Sequence, residues 1–135
     1  MKPEVTCFLD EPTNTASYVV ADSATRRCAV IDSVLDFDPA SGRTDTRSAD
    51  AIVDFVRRSG LRCEWILETH VHADHLSAAP YLKLRLGAKI AIGADVIKVQ
   101  RVFAEAFNAE PDFARDGSQF DALLRDGDAF HVGDI

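Results

Sequence analysis

Short apolar runs separated by polar turns predict three strands at the beginning of the chain. Residues 5–9 form the first run, and residues 11–14, which include a proline and an asparagine, indicate a turn after it. Residues 17–21 and 28–32 form two further runs with a polar turn between them, which predicts an antiparallel hairpin. Because residues 28–32 are apolar almost throughout, we expect the third strand to be buried on both faces.

A helix and a strand are predicted next. Ser48 is a suitable N-cap, Asp50 suits the first helical turn, and Gly60 lies where helices commonly end. Residues 61–69 then predict the strand, because they form a largely apolar segment directly after the helix. Residues 33–47 contain several Asp and Thr residues, a proline and a glycine without apolar periodicity, so we expect a long loop there.

A second helix and a further strand follow. Residues 77–86 predict a helix in which Leu82 faces the core and Leu84 lies on the opposite face, and Gly87 is expected to end it. Residues 89–92 predict the strand, because they form a short apolar run that a glycine closes. The chain therefore alternates helices with strands in this region.

A third helix is predicted over residues 95–108, followed by a polar loop at 110–119, a short turn at 120–124 and a last strand at 129–132. The apolar face of this helix, which we expect in the core, comprises Val96, Val99, Val102, Phe103, Ala106 and Phe107. Helices that alternate with strands predict an α/β fold, a mixed sheet flanked by helices. At 135 residues the chain forms one domain at most.

Composition narrows the possible functions. Hydrophobic residues make up 47% of the chain, which is enough for a core and argues against disorder. The net charge is −7 and there is no basic run, so we expect neither nucleic acid nor an anionic membrane as a partner. No apolar stretch approaches the ~20 residues that span a bilayer, and no apolar signal core follows residues 1–4, so we expect a cytoplasmic protein.

The three cysteines, Cys7, Cys28 and Cys63, are widely spaced within apolar runs. Their number is odd, and their spacing matches neither a zinc pattern nor a disulfide framework. We therefore expect small buried core residues in a reducing compartment, with a reactive thiol as the less favoured alternative.

Residues 68–75, with the sequence ETHVHADH, carry the main candidate chemistry. Imidazole combined with carboxylate suits zinc or iron. If the backbone continues extended after the preceding strand, His70, His72 and Asp74 point to one side, because side chains alternate along a strand. A helix is expected to begin at His75, so the His75 side chain approaches, from another direction, the point where the other three side chains meet. The pattern predicts a partial coordination shell for a metal ion. The alternative is a polar loop that happens to be rich in histidine.

The HxHxDH motif after an apolar strand resembles the signature of the metallo-β-lactamase superfamily. Residues 68–83, ETHVHADHLSAAPYLK, are similar to one branch of that family, the bacterial persulfide dioxygenases and β-lactamase-like hydrolases. Residues 30–32, 36–39 and 113–121 also resemble that branch. The resemblance implies an αββα sandwich, of which residues 1–135 would supply the N-terminal half as a partial domain that lacks the C-terminal half.

The resemblance implies two alternative metal centres. In iron-dependent persulfide dioxygenases, one motif histidine, here His70, works with a later histidine and a later aspartate, and His72, Asp74 and His75 have positioning roles. In two-zinc hydrolases, the first two motif histidines hold one metal and the Asp–His pair contributes to the second. The candidate metal ligands are therefore His70, His72, Asp74 and His75, for Fe²⁺ or Zn²⁺, and Asp74 is the candidate catalytic residue. Residues 33–47 would lie near the metal, although a solvated connection is an equal alternative.

Three functions stay open at this point. The first is oxidation of glutathione persulfide to sulfite by an iron enzyme, and the second is hydrolysis of a thioester, lactone or lactam by a two-zinc enzyme. The third is a non-catalytic half-domain, because the family's later ligands are missing and the surroundings of His131 do not match them. If the second half of the fold does not cover one face of the sheet, each Å² of apolar surface left in water forgoes about 25 cal/mol of hydrophobic stabilisation. We therefore expect a homo-oligomer or another chain to cover that face.

Overall fold

A six-stranded sheet and a three-stranded sheet carry three helices in the computed structural model, which describes residues 2–135. In chain order the elements are β1 (Glu4–Asp10), β2 (Thr15–Asp22), β3 (Arg27–Ile31), β4 (Val34–Asp38), β5 (Arg43–Asp45), α1 (Arg47–Arg58), β6 (Arg62–Leu67), β7 (Leu76–Ser77), α2 (Ala79–Leu86), β8 (Lys89–Gly93), α3 (Val96–Ala106) and β9 (Ala122–Leu124). The large sheet has the order β1-β2-β3-β6-β8-β9 and is mixed, because β1 to β3 pair antiparallel and the other pairs are parallel. Between residues 2 and 135, no helix combines the length and hydrophobicity that a membrane crossing requires.

The core lies between the large sheet and helices α1 and α2. Ile66 of β6 belongs to one buried cluster with Ile52 of α1 and Leu82 of α2. The expected burial of β3 is confirmed at Val30, which is fully buried, and Leu84 is exposed on the far side of α2 as predicted. The carboxyl ends of the parallel strands β3, β6 and β8 meet at one edge of the sheet, which is where α/β folds commonly bind ligands.

Residues 33–47 form part of the small sheet, so the predicted long loop is wrong. β4 pairs antiparallel with β5 on one side and with β7 on the other. Val34 is buried at the start of β4, but every residue of β5 is exposed. Because the hairpin has few buried positions, its strands lack the apolar alternation that a sequence pattern can detect.

The beginning of α1 also differs from the prediction. Ser48 is the second residue of the helix rather than its N-cap. Its backbone N–H and its hydroxyl donate to the Asp36 carboxylate at 2.8 and 2.6 Å, so a side chain from β4 satisfies a free N–H of the first turn. Asp50 lies in the first turn as predicted, and Gly60, with a φ of 62°, follows the C-terminus of the helix.

The strand predicted at residues 129–132 is absent from the described structure, whereas Ala122–Leu124, predicted as a turn, pairs with β8. Side chains attach the end of the chain to the sheet instead. Trp65 Nε1 donates to the carbonyl oxygen of His131 at 3.0 Å, and the Trp65 ring packs against Phe130 with centroids 5.7 Å apart. An apolar segment can pack against a sheet through its side chains without the backbone hydrogen bonds of a strand. The composition of residues 129–132 does not distinguish these two arrangements.

Helix α3 buries Val96 as predicted, but the rest of its buried face differs from the predicted one. The buried residues of α3 are Val96, Gln100 and Ala104. Phe103 and Phe107 are 53% and 74% exposed, and their rings stack on each other 5.6 Å apart. Gln100 takes a core position because its amide is satisfied there: its oxygen accepts from the backbone N–H of Gly117, and its nitrogen donates to Gln119, both at 2.9 Å.

The cysteines only partly follow the prediction. Cys28 and Cys63 are buried partners in the neighbouring strands β3 and β6, as expected for core residues. Cys7 is exposed, so its predicted burial is wrong. The reason is its place on the edge strand β1, where Cys7 and the exposed Leu9 alternate with Phe8, which packs toward the core.

Candidate metal centre

The histidine-rich stretch forms a loop at the carboxyl edge of the large sheet. Residues 68–75 follow β6 in a series of bends rather than the extended course that we predicted. Helix α2 begins at Ala79, so the helix start expected at His75 is also wrong. β7 follows the loop directly and pairs with β4, which anchors the far end of the loop to the small sheet. The side chains are therefore brought together by the folding of the loop and not by strand alternation.

The loop gathers the four predicted ligands around His72. The ring centroids of His70 and His75 lie 4.3 and 4.2 Å from that of His72. Two sets of three potential ligand atoms lie within 4.8 Å of one another: Asp32, His70 and His72 in one, and His72, Asp74 and His75 in the other. His72 belongs to both sets, so it is the geometric centre of the cluster.

Hydrogen bonds determine which nitrogen of His70 is free. The Thr69 hydroxyl donates to Asp32 Oδ2 at 2.7 Å, so only its lone pairs are available to His70 Nδ1, which lies 2.8 Å away. Nδ1 of His70 must therefore be the donor, and Nε2 carries the lone pair. Because the His70 side chain is exposed, this lone pair is accessible to a metal ion.

His75 has a buried nitrogen without a partner. Its Nδ1 lies 2.9 Å from the backbone carbonyl of Leu76, and a carbonyl only accepts, so Nδ1 carries the proton. Nε2 then has a lone pair, and within residues 2–135 it is buried without a hydrogen-bond partner. A buried polar atom left unsatisfied costs free energy. This nitrogen fits the expected metal, because a bound ion would satisfy it.

His72 lies between two carboxylates, and its side chain is only 6% exposed. Its Nε2 is 3.0 Å from Asp32 Oδ1 and 2.8 Å from Glu68 Oε2. Asp32 also accepts the backbone N–H and the hydroxyl of Thr69, so it acts as an acceptor and His72 Nε2 must donate to it. Nδ1 of His72 is therefore the nitrogen with the lone pair, and it lies 4.0 Å from Asp74 Oδ1.

The two acidic residues of the loop differ in environment. Asp74 is 58% exposed, and its own backbone N–H, followed by the charges of His75 and His72, holds the pKa of its carboxyl below the usual value. Glu68 is buried, and burial raises its pKa to about 7 although a hydrogen bond from Ser77 acts in the opposite direction. Asp74 is consequently ionised at neutral pH, as a metal ligand must be.

Asp32 and Glu68 contact the histidine cluster through His72, although the sequence pattern assigned a role there to neither. Asp32 follows β3, which pairs parallel with β6, so the two strands end at the same edge of the sheet. The φ of Asp32 is 52°, an uncommon value for a residue other than glycine and one that recurs at functional sites. An aspartate directly after a buried strand was the available signal for Asp32, whereas Glu68 showed no comparable signal.

A cavity of about 1190 Å³ opens beside the histidines. His72, Asp74 and His75 line one part of it, and the hairpin of β4 and β5, including Phe37 and Arg43, lines another. Ligand pockets of roughly 300–1,000 Å³ accommodate drug-sized molecules, so this cavity is large enough for a small-molecule ligand. The segment that the sequence predicted as a loop therefore lies beside the candidate ligands.

Comparisons with known proteins agree with this geometry. The family model described as the metallo-beta-lactamase superfamily matches residues 10–134. A probable metallo-hydrolase of Burkholderia pseudomallei (strain 1710b) is 60% identical over 126 residues, which is 93% of this chain and 43% of that protein. Glyoxylase B2 of Dictyostelium discoideum is 42% identical over 135 residues, which is 99% of this chain and 46% of that protein. The crystal structure of ETHE1 from Myxococcus xanthus matches with a TM-score of 0.68 at 25% identity, over 97% of this chain and 44% of that one.

The comparisons confirm the predicted fold class. The chain forms an α/β half-domain with a mixed sheet and three helices, as a metallo-β-lactamase fold requires of its N-terminal half. It spans less than half the length of the two curated relatives described above. The family model nevertheless covers nearly all of the residues 2–135 and includes the whole histidine cluster. The chain therefore belongs to the metallo-β-lactamase superfamily.

Proposed function

We propose that the protein containing this chain is a metal-dependent enzyme that oxidises a small thiol persulfide of the glutathione persulfide class to sulfite. The observation that supports metal dependence best is the cluster of three histidines, each with one nitrogen lone pair left free, beside an open cavity. The persulfide substrate rests on the resemblance of residues 68–83 to the persulfide dioxygenase branch. Three free thiols suit a reducing compartment such as the cytoplasm, which is where we place the protein.

In this proposal His70 binds an iron ion together with ligands from outside this chain, and His72, Asp74 and His75 surround it. Iron would supply a place where dioxygen is activated next to the persulfide. One persulfide, one dioxygen and one water give one sulfite and one thiol, and four electrons pass from sulfur to oxygen. The residues of this chain orient the ligands, and the cavity admits the substrate.

A second candidate function is hydrolysis by a two-zinc centre. The set of His72, Asp74 and His75 favours it, because an unpartnered His75 nitrogen beside an ionised Asp74 suits a second metal ion. The relatives named a probable metallo-hydrolase and a glyoxylase also favour it. Asp74 would then be a ligand close to the reacting centre and the catalytic residue of this chain.

Metal analysis combined with product assays tests both candidates on the protein at its natural length. We expect about one iron per chain, dioxygen consumption with glutathione persulfide, sulfite as product, and loss of activity with a chelator. Two zinc ions per chain and hydrolysis of a glutathione thioester would instead establish the second candidate. Neither metal at stoichiometric level would contradict both and favour a non-catalytic half-domain.

We also propose that residues 1–135 are one half of the working domain. The side of the large sheet opposite the helices carries exposed apolar residues, including Val5, Leu9 and Tyr18. Apolar surface left in water forgoes about 25 cal/mol per Å², so we expect a second half or a second copy to cover this face. Light scattering of the isolated 135-residue chain should show a dimer or larger species at micromolar concentration, and a clean monomer would contradict the proposal.

A further inference from the structure

Glu68 contacts His72 from the side opposite the candidate metal position. We propose that Glu68 is a positioning residue that holds the His72 ring with its proton on Nε2 and its Nδ1 lone pair toward the metal. This inference rests on the second candidate of the proposed function, the two-zinc centre, for the ligand role of His72, whereas the contacts themselves involve residues of this chain alone. It assigns a role to a residue outside the HxHxDH motif.

The Glu68 side chain connects His72 to three elements of the fold. Glu68, the first residue after β6, is buried, and its Oε2 lies 2.8 Å from His72 Nε2, which is shorter than the 3.0 Å contact of Asp32. Its other oxygen, Oε1, accepts from the Ser77 hydroxyl of β7 at 2.5 Å. Ser77 in turn accepts the backbone N–H of Ala79, the first residue of α2, at 3.0 Å. The ring orientation is thereby fixed to β6, β7 and α2.

The directions of these hydrogen bonds are determined by chemistry. The Ala79 N–H can only donate to the Ser77 oxygen, which leaves the Ser77 proton free to point toward Glu68 Oε1. Glu68 therefore acts as an acceptor from Ser77. Since His72 Nε2 must carry a proton to bond with Asp32, Glu68 Oε2 is a second acceptor for the same N–H. Both carboxylates favour the one tautomer that leaves Nδ1 free.

A buried carboxylate is costly, and a role in orientation explains why one is retained at this position. Burying such a group without compensating contacts is unfavourable, whereas an apolar residue of similar volume would carry no such penalty. Hydrogen-bond partners of ligating histidines set the tautomer and the ring angle, and their removal typically lowers metal affinity 10–100-fold. Glu68 meets this description, because its contact is to Nε2, the nitrogen of His72 that carries the proton, and Nδ1 is left free toward Asp74.

The test compares Glu68→Leu, Glu68→Gln, Ser77→Ala and the control Glu64→Leu in the protein at its natural length. Glu64 lies four residues earlier, contacts Arg27 and the Gly133 N–H, and forms neither a hydrogen bond nor an ion pair with a histidine among residues 2–135. The first measurement is the tautomer of His72 in the metal-free protein, from nitrogen-15 NMR of labelled histidine. The second is the affinity for Zn²⁺ alone, by competition with a chelator. Thermal unfolding of each variant shows whether it folds.

We expect His72 to carry its proton on Nε2 in the wild type and in Glu64→Leu. Glu68→Leu should raise the share of the Nδ1-protonated tautomer only in part, because Asp32 still accepts from Nε2, and should lower Zn²⁺ affinity about 10–100-fold. Glu68→Gln should restore most of both properties, because its amide oxygen still accepts at the same reach. Ser77→Ala should also lower the Zn²⁺ affinity. It is a smaller change, so it keeps the proposal testable if Glu68→Leu fails to fold.

The two measurements separate this inference from the proposed function. An unchanged tautomer and unchanged Zn²⁺ affinity in Glu68→Leu or Ser77→Ala would overturn the positioning role while leaving the metal centre intact. A shifted tautomer in a protein that binds no metal would support the positioning role and contradict the proposed function. Equal losses of affinity in Glu64→Leu and Glu68→Leu would show a general effect on the fold and would also overturn the inference.

Discussion

Replacing His72 with alanine is expected to lower the affinity for metal by a factor on the order of 10²–10³, the largest effect of any single histidine. Structural zinc sites bind with about 10–16 kcal/mol through four ligands, so one ligand contributes about 2.5–4 kcal/mol. His72 belongs to both sets of potential ligands, whereas His70 and His75 each belong to one. Its loss therefore weakens both metal positions that the two ligand sets can form.

The matched control is His131→Ala. His131 is exposed, it belongs to neither ligand set, and it contacts Trp65 through its backbone oxygen, which the substitution retains. Metal content and affinity, measured by elemental analysis and chelator competition, should match the wild type in this variant. Equal affinities for His72→Ala and His131→Ala would contradict the metal centre. Thermal unfolding is needed alongside, because His72→Ala also leaves the buried Glu68 without one of its partners.

The sequence predicted that the candidate ligands lie close together, and they do, but it did not predict the way in which they meet. His70, His72, Asp74 and His75 are close in sequence, so any compact loop brings them together, and the predicted strand alternation was not needed. Asp32 reaches the same point from a different strand, and that proximity depends on β3 and β6 being neighbours in the sheet. A pairing between distant strands is not encoded in local spacing.

The fold was predictable where a local pattern coincides with burial. Helix α1 and the strand β6 follow clear apolar spacing and were found, whereas β5 has no buried residue and was missed. The prediction for α3 largely failed because a clear apolar pattern there does not coincide with burial. Phe103 and Phe107 are strongly apolar, but the tertiary contacts of Gln100 with Gly117 and Gln119 turn the other face inward. Hydrogen bonds between distant residues outweighed hydrophobic periodicity there.

Helix α2 offers the second large effect, because it carries two leucines with opposite environments. Leu82 is completely buried in the cluster that joins α1, α2 and the large sheet, and Leu84, two residues later, is 85% exposed. Leu82→Ala should lower the free energy of unfolding by about 2–5 kcal/mol, through lost burial and the cavity left behind. Leu84→Ala should change it by no more than about 0.5 kcal/mol.

Urea unfolding of both variants measures this difference, and comparing the two variants removes the contributions that both substitutions share. Both substitutions are Leu→Ala within one helix, so the change in helix propensity is the same and only burial differs. Since the free energy of unfolding of a domain is about 5–15 kcal/mol, the Leu82 variant should lose a substantial part of its stability. A similar loss in both variants would mean that the exposed face of α2 is covered in solution. In that case Leu84, rather than the apolar side of the large sheet, would mark the surface where a second copy or the rest of the protein packs.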